Sequence, residues 1–191
     1  MNPLTANFSE LHQRHLCRHS QYGINAWHFA ALVGTYAALF QIAFWLFGSW
    51  WVIPAIVIPY LVVVVPNIPL RLTGVVVAFL LIFFTVLMLI PLPWAWVDVV
   101  ILALCYLVQN WSHRWYPVEF DMTQFKQKYR KGPAMFVLLT LYELPIQLNY
   151  LVFPSTRRRV GDQPEQAAVG WSTTNGLEKL TALKGATSAA R

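Results

Sequence analysis

The residues best equipped for chemistry in this 191-residue chain are five histidines, His12, His15, His19, His28 and His113. The neutral imidazole nitrogen is available near pH 7 and is the commonest protein ligand for a metal. None of the five sits in the middle of an apolar stretch: His28 and His113 lie within a turn of where such a stretch would leave a bilayer, and His12, His15 and His19 lie in the polar segment before the first one. On a helix starting near Ser9, a fair N-cap followed by Glu10, the residues His12, His15 and His19 take positions i, i+3 and i+7 and share one narrow face. An even number of crossings between His28 and His113 puts all five on one side of the membrane. Three or four imidazoles with a carboxylate such as Glu119 or Asp121 suit Fe, Zn, Cu or Ni. Asn25 and Gln109, with Asn110 and Ser112 nearby, are placed to orient such rings by hydrogen bonding.

The elements that must carry these side chains are membrane helices. The chain is 57% hydrophobic and 12% charged, with a mean hydropathy of +0.48, whereas soluble domains carry about 25% charged residues. The net charge of +6 comes from Lys and Arg confined to loops and tail, where the positive-inside rule and anionic headgroups account for it and no nucleic-acid partner is implied. The first 26 residues are polar, so no cleavable signal peptide is expected and insertion starts at the first long apolar stretch. Cys17 and Cys105 imply no disulfide framework, although Cys17 could ligate a metal. No glycine-rich phosphate loop, Cys-x-x-Cys pair or nucleophile elbow is present.

Hydropathy places four spans at about 27–47, 52–65, 72–90 and 94–111, joined by Trp-rich turns after Phe47 and before Val97 and by a proline turn holding Arg71. Tyr22, Gly23 and Asn25 suggest a break before the first span. Pro54 and Pro59 can kink the second. A polar, basic segment covers residues 113–132. A further apolar stretch, 134–153, contains Glu143, Pro145, Gln147 and Asn149 and leads into Arg157, Arg158 and Arg159. Its polar groups are costly at a bilayer centre, and a fifth crossing would carry the arginines outside. We therefore expect it to be interfacial or re-entrant. The fold class is then all-α: an integral membrane four-helix bundle with an additional interfacial or re-entrant C-terminal helix. Residues 1–26 form a cytoplasmic N-terminal helix with the histidine face, 27–156 the membrane bundle, and 157–191 a basic, largely disordered tail with a short helix near Leu177 to Leu183. Both termini are expected in the cytoplasm.

The pattern from His19 through Asn25-x-x-His28 into the first span, with Gln109-x-x-x-His113 closing the last, resembles the yeast 2-hydroxy fatty acid dioxygenase family. Pro133-Ala134 after a basic stretch and Tyr142-Glu143 later fit its C-terminal part. This sequence has Ser112 where the family has glycine, and Glu119 lies six residues after His113 rather than four. The resemblance implies a four-span Fe(II)-dependent enzyme that removes one carbon from a 2-hydroxy fatty acid with dioxygen. It implies His19, His28 and His113, then His15, as metal ligands, with Glu119 as carboxylate ligand or base and Asn25 and Gln109 as orienting groups. The acyl chain would lie among the spans, its carboxylate paired with Arg114 or a lysine of 126–131. Glu143, an acid inside an apolar stretch, joins Arg114 as a substrate-side candidate. The expected function is thus a membrane-embedded non-haem iron oxygenase acting on a lipid or fatty acid. The alternative is a non-enzymatic membrane subunit or assembly factor packing through aromatic surfaces, and a membrane-protein partner or homo-oligomer fits either. A di-iron hydroxylase or desaturase needs about eight histidines and is excluded by five.

Overall fold

A computed structural model describes residues 6–89, 94–116 and 132–157, which belong to one compact unit ending at Arg157. The described residues form an all-α bundle of six helices: α1 (Phe8–Arg18), α2 (Tyr22–Phe47), α3 (Val52–Val64), α4 (Leu70–Leu89), α5 (Ala95–Trp115) and α6 (Pro133–Val152). Short 3-10 turns follow α3 (Val65–Asn67) and α6 (Pro154–Arg157). Glu119, Asp121, the lysines of 126–131 and the tail beyond Arg157 lie outside the described residues.

The N-cap of α1 lies two residues before the expected Ser9. Asn7 caps it instead, its side-chain oxygen accepting from the Glu10 N–H at 3.2 Å, and the earlier start lets Phe8 enter the core with Leu11 and Leu16. Glu10 in the first turn and Arg18 in the last both match the helix dipole. The break expected at Tyr22–Asn25 falls earlier, at His19–Gln21, and α2 runs unbroken through Gly23 and Asn25. It ends at Gly48, whose φ of 63° is a left-handed conformation that glycine adopts without a Cβ penalty.

Four helices, α2, α4, α5 and α6, are long and apolar enough to cross a membrane, while α3 is shorter. The stretch expected to lie at the interface is therefore a continuous 20-residue helix, the most deeply packed of the four. Its polar residues turn inward: Gln147 and Asn149 are buried within the protein and Glu143 is half-buried. They face protein rather than lipid, and Gln147 is buried there with no hydrogen-bond partner for its amide among the described residues. α5 is the opposite case, with most of its surface outward and only Asp98 and Ser112 fully buried.

α5 packs chiefly along α2, and small residues set that seam. A Cβ built on Gly34 would stand 2.6 Å from Cys105 Sγ and 3.7 Å from Ile101 Cγ2. Small residues let membrane helices approach closely. Gly34→Leu, too large for a rotated thiol to accommodate, should cost about 1–3 kcal/mol and weaken metal retention by pushing α5, and His113 with it, off α2. Detergent melts and metal content measure both. Wild-type values for both in the Gly34→Leu protein would contradict this close approach.

Candidate metal centre

Three side chains meet at one end of the bundle. His19 occupies the C-cap of α1, His28 lies near the start of α2 and His113 near the end of α5. Ring centroids are 4.5 Å apart for His19–His28, 5.0 Å for His19–His113 and 4.9 Å for His28–His113. One nitrogen of each ring lies within 4.8 Å of the others, close enough to hold a metal ion. A tetrahedral ion with Zn–N or similar bonds of about 2.1 Å would draw the nitrogens to about 3.4 Å, a closure within reach of side-chain rotation. His19 and His28 are buried and His113 half-buried.

The rings have ligand capacity to spare. Both nitrogens of His19, Nε2 of His28 and Nδ1 of His113 are buried with no hydrogen-bond partner among the described residues. An unsatisfied buried polar group costs about 1–3 kcal/mol, and a metal satisfies all three rings at once. The donor set, three neutral imidazoles without a thiolate, fits a metal with remaining open positions.

The elbow between α1 and α2 is held by Asn25, which is 0% exposed. Its Nδ2 donates to the carbonyls of His19 (2.7 Å) and Gln21 (2.8 Å), and its Oδ1 accepts from His15 Nε2 at 2.7 Å. The Asn25 oxygen can only accept, so the proton of His15 resides on Nε2. The His15 ring stacks on His19 at 4.3 Å, and His15 is a buttress between Asn25 and His19 rather than a member of the trio. Tyr150 of α6 reaches the same elbow, donating its hydroxyl to the Ser20 carbonyl at 3.0 Å. The Tyr116 ring lies directly over Gly23, where a Cβ would collide with it.

Burial keeps these imidazoles neutral. It lowers His15 from 6.5 to about 3, the Asn25 hydrogen bond pulling the other way, and it lowers His12 to about 4. His19 is held well below 6.5 by burial first, then by His15, His28, His113 and the Arg18 guanidinium. Neutral rings are the form that binds metal. His12 stacks on Phe8 at 6.2 Å and stands apart from the trio. As pH falls from about 6.5 to about 4, the unfolded chain takes up a proton at His12 that the folded protein excludes, so folding stability falls through that window. The metal-free protein should melt progressively lower over that range, and His12→Leu should flatten the slope. A flat wild-type profile would contradict the burial of His12.

The other sequence candidates are dispersed. Gln109 is half-buried one turn before His113, and its main-chain carbonyl accepts from the Ser112 hydroxyl at 2.8 Å. Arg114 is exposed beside His113. Glu143 lies within electrostatic reach of Tyr36, eight residues or about 12 Å along α2 from His28, and so it is deeper in the bundle than the imidazoles. Arg18 is not among the sequence candidates, although its place directly before His19 is a usable signal. Compared with known proteins, the chain matches no family model, no curated protein and no solved structure.

Proposed function

We propose that this protein is a membrane-embedded non-haem iron oxygenase acting on a lipid or fatty acid, with 2-hydroxy fatty acids as the substrate class. The observation that carries the reading is the meeting of His19, His28 and His113 with ring nitrogens buried and unpartnered. Iron held by three imidazoles would supply open positions for dioxygen and the 2-hydroxy acid together. In the overall reaction the C1–C2 bond breaks and dioxygen accepts the electrons released from both carbons. The products are the shortened acid, carbon dioxide and water. The chain's own part is to bind and orient. Arg18 and Arg114 flank the trio and can pair the substrate carboxylate. A cavity of about 240 Å³ among α2, α3, α4 and α6, lined by Tyr36, Phe40, Tyr60, Leu80, Phe84 and Leu144, suits the alkyl chain.

The same end of the bundle supports a reading of sidedness. Arg18 and Arg114 lie at the site, Arg157 packs over Tyr22 at 5.2 Å, and Arg71 packs over Phe153 at 4.9 Å, just past the helix that reaches Ser20. The positive-inside rule then puts the histidines on the cytoplasmic face. Protein purified without chelators should hold about one iron per chain and, with dioxygen, convert a 2-hydroxy fatty acid to the acid one carbon shorter. Iron without turnover would retain the metal centre and remove this substrate. Metal-free protein that co-purifies with a larger membrane complex would replace the enzyme by a structural subunit.

A further inference from the structure

The α2–α5 seam is antiparallel and its register can be followed along its length. His28 meets His113, and Gly34 meets Cys105. A further step of seven residues, two helical turns, along each helix places Gln41 opposite Asp98. Both are 0% exposed. Neither carboxylate oxygen of Asp98 has a hydrogen-bond partner among the described residues, nor does Gln41 Oε1. Gln41 Nε2 donates to the Leu87 carbonyl at 3.5 Å. Leu87 lies in the last described turn of α4, near the negative end of the helix dipole, and the residue four further on, Pro91, has no N–H to offer its carbonyl. A buried carboxylate, an unpartnered amide oxygen and a main-chain carbonyl thus gather at this end of the bundle, where an uncompensated buried carboxylate costs several kcal/mol.

We propose that Asp98, Gln41 and the Leu87 carbonyl at the end of α4 form a second, oxygen-lined site that binds sodium. Oxygen donors select a hard cation over the metals that imidazole prefers. A single carboxylate balances one positive charge, and a divalent ion would leave the interior charged. Helix C-termini that present carbonyls within a membrane bundle are a recurring way to hold Na⁺. The site lies thirteen residues along α2 from His28, about 20 Å, so its occupancy is independent of the histidine centre and of the function proposed for it.

The test uses the full-length protein in detergent, melted in sodium, potassium or choline chloride at constant ionic strength. Sodium should raise the melting temperature saturably, by about 5 °C at a hundredfold excess over its Kd, and choline should not. Asp98→Asn should abolish the response. If that variant does not fold, Asp98→Glu keeps the charge but displaces its oxygens, and should shift the sodium midpoint at least tenfold. Equal melting of the wild type in the three salts overturns the proposal, as does a sodium response unaltered in the folded variants. A calcium response larger than that to sodium overturns the assignment of a monovalent ion.

Discussion

Replacing either His28 or His113 by alanine should reduce bound metal from about one ion per chain to below about a tenth, with the helical fold intact. Among the described residues, each ring supplies one of three ligand nitrogens that lie within 4.8 Å of one another. Losing one leaves two imidazoles on separate elements, with neither the ligand number nor the geometry for tight retention. Even residues that only orient ligands change affinity by about 10–100-fold, and a direct ligand exceeds that. The bundle should survive because the site is at its end, and the Gly34–Cys105 approach that seats α5 on α2 lies further along. His12→Ala is the matched control: it removes a buried imidazole that is stacked on Phe8 and outside the trio. Metal content by elemental analysis, with circular dichroism on the same samples, gives the outcome. Full metal in the His28→Ala protein, or equal loss in His12→Ala, would contradict the assignment.

Asn25→Leu should produce the largest loss of stability of any single change at the site. The substitution keeps the branched shape of a side chain that is fully buried but strands three partners, the His19 and Gln21 carbonyls and His15 Nε2. At about 1–3 kcal/mol for each of the three stranded groups, a total of about 3–9 kcal/mol is expected, a large share of a typical folding free energy of about 5–15 kcal/mol. Because the bonds fix the residue that caps α1, and that residue is the ligand His19, metal affinity should fall about 10–100-fold as well. Asn25→Asp retains the acceptor for His15 and loses both donated bonds, so it should fall between the two. Denaturant titration and metal competition measure these effects separately. Wild-type stability and affinity in the Asn25→Leu protein would show that the elbow is positioned by something else.

The local part of this arrangement could be read from residue spacing. His15 and His19 share a helix face because four residues complete about one turn, and Asn25-x-x-His28 places an orienting amide and a ligand one turn apart. Span ends near His28 and His113 followed from hydropathy, and these two rings do meet. What depended on the pairing of helices was not legible. His12 has the same periodic position as His15, but its ring stacks on Phe8. A hydropathy sum cannot distinguish a glutamine of α6 that faces lipid from one that faces protein. Gln147 faces protein. Gln41 and Asp98 lie 57 positions apart in the chain, and only the α2–α5 register connects them. Gly34 carries that register, and nothing in its immediate neighbours marks it as a packing residue.

The convergence of three imidazoles on one ion is tested most directly by X-ray absorption at the iron edge of the loaded protein. The spectrum should show nitrogen at about 2.1 Å with outer-shell imidazole scattering from about three rings, and one ring fewer in any His113→Ala protein that retains residual iron. A first shell of oxygen alone, without imidazole scattering, would contradict the metal centre.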